Sequence, residues 1–243
     1  MNRPDERDHP GTGHPEPGAG ETCWTLIDAA SRGDPDAREL FARHYAQPIR
    51  DYLRRRWVNS PRRDDVADAQ QEVFVECMKP GGALDRADAA KGDFRALLYG
   101  VVRNVARRFE ERAARELGRA MHESVFLDGL PHQAEALSRV FDRSWAQMIM
   151  QEAAAAQERA ARDGDEAYRT RFRILQLRHR DGLPVREIAR QLGVVDVESV
   201  QNAYRRARRD FRACLRLVVA THTGAPANRV DEECRRVLEM LEG

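Results

Sequence analysis

Apolar residues recur at helical spacing along most of the chain, and the sharpest case is GLPVREIARQLGVVDVESVQNAYRRARRDFRACL, from Gly182 to Leu215. Val185, Ile188, Ala189 and Leu192 stand at i, i+3, i+4 and i+7, so one helix buries one face. Gly193 is placed to end it, because glycine adopts the positive φ that a chain needs to leave a helix. Asp196 is placed to cap the next helix. That helix buries Val197, Val200, Tyr204, Ala207, Phe211 and Cys214. It shows Glu198, Ser199, Gln201, Asn202, Arg205, Arg206, Arg208 and Arg209 on its other side. Two helices about a glycine turn, the second polar at its start and basic behind, match helix-turn-helix. In that reading the polar start enters a major groove and the arginines grip phosphates. A plain helical hairpin with a solvated basic face fits the same pattern.

The same periodicity predicts the remaining helices. Trp24, Leu26 and Ile27 begin a short one, and Pro35 opens a second. The second carries Leu40, Phe41, Tyr45, Ile49, Tyr52, Leu53 and Trp57 as its apolar stripe. Pro48 should bend or break it, and Arg50, Arg54, Arg55 and Arg56 lie off the stripe as a solvated face. After a turn at 59–63, Asp64 to Met78 buries Val66, Ala69, Val73, Phe74 and Cys77 and shows Asp68, Gln71, Glu72 and Glu76. KPGGALDRADAAKGD, Lys79 to Asp93, reads as a loop.

A helix from Phe94 to about Arg119 buries Leu97, Leu98, Val101, Val102, Val105 and Phe109. Its opposite face groups Arg103, Asn104, Arg107 and Arg108, which suits either phosphate or solvent. Leu137 to Arg162 is the next helix, ended by Asp163, Gly164 and Asp165. Another, through Phe172, Leu175 and Leu177, leads to the opening motif. Past a break at THTGAPAN, Val230, Cys234, Val237, Leu238 and Leu241 mark a final short helix, which could fold back onto a lobe.

There is no strand pattern and no internal repeat, so the fold class is all-α: two helical domains joined by a linker, the C-terminal one a helix-turn-helix. The expected division is a disordered tail at 1–22, a helical domain at 23–119, a linker at 120–136, a second domain at 137–219 and a tail with a short helix at 220–243.

Composition narrows the chemistry. Of 243 residues, 42% are hydrophobic and 33% charged, yet the net charge is only +1, so any nucleic-acid binding must use local patches. Lysine occurs only at Lys79 and Lys91, and the remaining positive charge is arginine, which forks onto phosphate and guanine. Cys23, Cys77, Cys214 and Cys234 are far apart, with no zinc spacing, as in a reduced cytoplasmic protein. No apolar run approaches the roughly 20 residues that span a bilayer, and no signal-peptide core appears at the N-terminus. His44, His122, His132, His179 and His222 are scattered and read as structural or surface residues. Motifs for nucleotide, metal or nucleophilic catalysis are missing, so no cofactor and no enzyme is expected.

Two stretches in order, DDVADAQQEVFVECM followed by FRALLYGVVRNVARRFEER, and then LPVREIARQLG with ESVQNAYRRARRDFRACL, resemble a bacterial sigma factor of the extracytoplasmic-function type. The resemblance covers about Trp24 to Leu217 and implies two helical domains, called regions 2 and 4. By resemblance, Asp68, Gln71, Glu72 and Phe74 dock on the β′ clamp helices of core RNA polymerase, and the C-terminal lobe meets the β flap. Arg103, Asn104, Arg107 and Arg108 match the helix that meets the −10 element of promoter DNA, and the Lys79–Asp93 loop matches one that receives a flipped base. Glu198, Ser199, Gln201, Asn202, Arg205 and Arg206 match the helix that reads the −35 element.

The chain departs from the family pattern at Leu97, where tryptophan is usual, and at Gly100, where a larger residue is usual. Gly100 therefore marks either a close helix contact or a locally weak helix. The turn GVVDVESV is one residue longer than usual, which affects the register of the reading residues. The implied function is promoter recognition and transcription initiation with core polymerase, with room for a separate anti-sigma chain. The alternative is a free-standing helix-turn-helix regulator, which has no need of the QEVF or basic N-terminal helices.

Overall fold

The computed structural model describes residues 23–88, 94–116 and 131–242. The tail at 1–22, the end of the expected loop at 89–93 and most of the expected linker lie outside the described residues. Every described element is helical, so the chain is all-α.

Helix α1 (Cys23–Ser31) lies on α2 (Pro35–Arg56). Asp34 caps α2 by accepting from the Ala37 amide at 2.9 Å, and Pro35 occupies the first turn, where its missing N–H costs nothing. The helix runs through Pro48 without a break. A proline inside a helix costs about 3 kcal/mol. Here Tyr45, Ile49, Tyr52 and Leu53 are fully buried on both sides of it. Each such side chain recovers roughly 1.5–3 kcal/mol, and together they outweigh the proline.

A single 3-10 turn (Pro61–Asp65) leads into α3 (Val66–Met78). The expected loop after it is partly ordered as α4 (Ala83–Arg86), because Ala83 and Leu84 are buried and Asp85 accepts from the Gly81 amide at 2.7 Å. Only glycine fits at Gly82, where a Cβ would stand 2.6 Å from the carbonyl oxygens of Cys77 and Lys79. Helix α5 (Phe94–Glu116) then packs on α3.

Helix α6 runs over Pro131–Asp163 and so begins before Leu137, proline again being tolerated in a first turn. Its aromatic residues enter the core of the first five helices. Trp145 stacks on Tyr45 at 5.3 Å, and Phe141 meets Tyr99 at 5.3 Å. Polar contacts reinforce the joint: Ser144 donates to Asp51 at 2.7 Å, and Arg95 pairs with Asp142. The larger core thus draws on both sides of the expected linker.

The remaining helices are α7 (Glu166–His179), α8 (Val185–Gln191), α9 (Val197–Thr223) and α10 (Val230–Glu242). In α7 the buried positions are Ile174 and Leu177, while Phe172 and Leu175 are half-buried. Five buried residues, Ile174, Leu177, Ile188, Ala189 and Val200, form a second and much smaller core. Helix α9 serves both cores. Val200 belongs to the small one, and Leu215, Val218 and Val219 belong to the large one. It continues past Leu217 because those later residues are buried, and it stops at Gly224, φ 63°. Helix α10 docks on α6 and α9 through Val230, Cys234 and Val237, whereas Leu238 stays 44% exposed.

At the junction of α2, α6 and α9 sits a charged cluster. Glu152 of α6 contacts His44 Nδ1 through Oε1 at 2.6 Å and His222 Nε2 through Oε2 at 2.6 Å. Burial acts to raise the Glu152 pKa, but the bonds from His222 and His44 overcome it and hold the carboxyl at about 2. Burial acts to lower the His222 pKa, but the neighbouring Cys23 thiol and Glu152 carboxylate raise it to about 10.

Glu152 stabilises the fold above its ordinary pKa of 4.5, and this is lost as pH falls towards about 2. His222 stabilises it below its ordinary pKa of 6.5, and this is lost as pH rises through about 10. Thermal unfolding midpoints measured across pH should therefore decline on both sides of that window, and Glu152→Gln should flatten the alkaline limb. Separately, a Cβ at Gly100 would meet nothing within 4 Å, so no close helix contact requires the glycine. Gly100→Ala should stabilise the protein by roughly 0.5–1 kcal/mol in a urea titration.

Candidate nucleic-acid and protein interfaces

Three helix faces carry the residues singled out from the sequence. On α3, Asp68 and Gln71 are exposed, Glu72 is half-buried, and Phe74 turns inward with its ring edge-on to Phe41 at 6.3 Å. Val75, one turn on from Gln71 along the same face, is 51% exposed, so this face combines acid, amide and aliphatic surface.

On α5, Arg103, Asn104 and Arg107 are exposed. Arg107 lies 3.5 Å from Glu111. Arg108 differs from its neighbours, because its guanidinium reaches across to α3, 3.1 Å from Glu76 and 3.6 Å from Glu72. The Lys79 ammonium, and then Arg108, hold the Glu76 carboxyl below its ordinary range. The expected polymerase face and the expected −10 face therefore touch through one ion-pair cluster. It is partly solvated, so its contribution to stability is small.

What fixes α5 against α2 is a buried pair that periodicity alone did not reveal. Arg56, assigned from the sequence to a solvated face, has a side chain only 1% exposed. It donates to Glu110 twice, Nε to Oε1 at 2.6 Å and Nη2 to Oε2 at 2.8 Å. Trp57 Nε1 donates to the same carboxylate at 2.9 Å, and Arg56 Nη1 donates to the Tyr52 hydroxyl at 3.2 Å. The sequence signal was the position itself: Arg56 precedes the last apolar residue of its stripe, and Glu110 follows Phe109.

On α9, Glu198, Ser199, Gln201, Asn202, Arg205 and Arg206 are all exposed. Asp196 caps the helix, accepting from the Glu198 and Ser199 amides at 3.0 Å each. The Ser199 hydroxyl donates to it as well, at 2.5 Å, and this bond, with the amides, keeps the Asp196 carboxyl below its ordinary pKa. Arg205 donates to Asn202 at 3.1 Å, and the Arg208 guanidinium lies over the Tyr204 ring at 5.9 Å. The end of α8 is closed by Gly193, φ 67°, with the Val194 amide donating to the Ala189 carbonyl at 2.9 Å. The long turn is absorbed at Val195, which is 99% exposed, while Val194 and Val197 on either side pack on the small core. With the extra residue in the turn, the polar set from Glu198 to Arg206 remains on the exposed side of α9.

Of the scattered histidines, His44 and His222 meet on Glu152, and His179 Nε2 lies 2.9 Å from the Tyr204 hydroxyl. His122 lies outside the described residues. No group of three or more His, Cys, Asp or Glu side chains among the described residues is arranged to hold a metal ion, and none of their helices is long and apolar enough to cross a membrane.

Removing one partner of a buried, hydrogen-bonded ion pair leaves a charge unpaired. Glu110→Ala should lower stability by about 3–5 kcal/mol in a urea titration, and Glu110→Gln, which keeps an acceptor for Trp57, by less.

No family model, curated protein or solved structure matches the chain.

Proposed function

We propose that this chain is a promoter-specificity subunit, a sigma factor of the two-domain extracytoplasmic-function type, that binds core RNA polymerase in the cytoplasm and directs it to promoter DNA. The observation that carries this reading is the pairing of two exposed arginine-rich helix faces, on α5 and α9, with an acid and amide face on α3 next to the first of them. A free-standing regulator needs one DNA-reading helix and has no use for the other two faces.

In this reading Asp68, Gln71 and Glu72 dock on the polymerase, with Phe74 supporting them from beneath. Arg103, Asn104 and Arg107 meet the backbone of the −10 element. Extruding a base there costs a few kcal/mol, which backbone contacts and a receiving loop must supply. On α9 the side chains offer distinct base partners: Glu198 accepts from cytosine, Gln201 and Asn202 suit adenine, and Arg205 suits guanine. Arg206 and Arg209 suit phosphates. Ser199 is committed to the Asp196 cap and is the least suited to read a base. RNA synthesis stays with the polymerase, and no cofactor is needed.

Run-off transcription with core RNA polymerase and a promoter library tests this directly. Promoter-dependent transcripts should appear with the wild-type chain and should fall by at least about tenfold when Asp68 and Glu72 are both changed to Ala. Tight duplex binding without transcription or polymerase binding would instead establish the free-standing regulator.

A further inference from the structure

We propose that Cys23 is a thiol built to react with hydrogen peroxide, activated by the Tyr45 hydroxyl and the His222 ring that stand beside it, which gives the chain a redox input of its own. This holds independently of the promoter-subunit reading.

Cys23 opens α1 and is only 4% exposed. Its sulfur lies 2.8 Å from the Tyr45 hydroxyl. Burial, and then the Cys23 sulfur, hold the Tyr45 pKa well above its ordinary value, so the hydroxyl keeps its proton and donates in this bond. His222 neighbours the same thiol. Burial works against charge on its ring, yet Cys23 and Glu152 beside it keep the ring protonated. A protonated imidazole carries a hydrogen on both nitrogens. Glu152 takes Nε2 at 2.6 Å, whereas Nδ1, on a side chain only 5% exposed, is buried with no hydrogen-bond partner. Buried polar atoms are nearly always paired, so a spare N–H next to a thiol is a donor awaiting an acceptor.

The other three cysteines lack this setting. Burial, and then Glu76, push the Cys77 thiol up to about 12. Burial raises Cys214 and Cys234 as well, helped by Asp210 and Asp231 respectively. These thiols keep their protons at neutral pH, and it is the thiolate that attacks. Around Cys23 the groups suit a thiolate: a hydroxyl donor, a cationic ring and the positive end of a nine-residue helix. His44 and Glu152, with side chains 22% and 24% exposed, bring the edge of the cluster to the surface. Hydrogen peroxide is little larger than water and suits so narrow an approach.

The step balances with peroxide as the only co-reactant. The Cys23 thiolate attacks one peroxide oxygen, an S–O bond forms and the O–O bond breaks. Sulfur is oxidised to a sulfenic acid, and the departing oxygen is reduced to water. The proton that the thiol gave up, held on the His222 ring, passes from Nδ1 to that oxygen.

The test treats reduced full-length protein with hydrogen peroxide. Samples are denatured at intervals in dimedone, which traps sulfenic acid, and each cysteine is quantified by peptide mass spectrometry. Cys23 should be oxidised at least about tenfold faster than Cys214, although Cys214 is the more exposed. In urea that difference should collapse to about twofold or less, since it belongs to the fold. Tyr45→Phe keeps the ring and removes the donor, and should slow Cys23 by about fivefold with Cys214 unchanged. His222→Asn should slow Cys23 by about tenfold or more. If His222→Asn does not fold, the wild-type ratio and Tyr45→Phe decide the matter. Oxidation of Cys23 no faster than that of Cys214 overturns the proposal. A Cys23 rate left unchanged in folded Tyr45→Phe does so too, as does a tenfold preference that persists in urea.

Discussion

Glu152 is a carboxylate on an otherwise largely apolar helix face, and it remains ionised there because two histidines approach it from different helices. A buried carboxylate without partners would take up a proton or force the helices apart. With His44 and His222 in place, the charge is satisfied only when α2, α6 and α9 come together in one arrangement. The aromatic contacts around it, Tyr45 with Trp145 and Trp145 with His222, bring apolar surface to the same junction. The ion cluster supplies the requirement that the partners be these and no others. Arg56 and Glu110 do the same for α2 and α5, with Trp57 adding a third donor. Both devices use charge where an apolar contact alone would allow sliding.

Which residues form helices was largely legible in the sequence, because amphipathic spacing reports one buried face per helix. The stretches from Val66, Phe94 and Val197 fall where periodicity puts them. The arrangement of the helices was not legible. Trp145 and Phe141 give the same stripe whether α6 packs on α7 or on α2, and the choice belongs to tertiary contacts that periodicity does not encode. The same limit explains Pro48, where buried neighbours outweigh a local penalty, and α4, where Leu84 anchors a segment rich in turn residues. Isolated polar residues were the hardest to place. His44 and His222 lie 178 positions apart, and nothing in either neighbourhood names the other.

The candidate faces show a similar division. Exposure of the α9 polar set and the Asp196 cap could be read from helical phase. The engagement of Arg108 with Glu72 and Glu76 could not, since the basic patch on α5 reads as one compact group until the acidic side of α3 is laid beside it. The two faces share charges, so a partner that takes up Glu72 also changes the surroundings of Arg108. Assigning each residue to one ligand understates that connection.

A single helix that belongs to both cores also bears on how the molecule comes apart. Because α9 runs from Val200 in one core to Val219 in the other, its second half is anchored in the large core while its first half depends on a core of five fully buried side chains. A region with so few buried contacts opens at a lower free energy than the body it is attached to. A protease that depends on local opening would then cut first around α7 and α8, at a rate that follows this local opening and not the global stability of the protein.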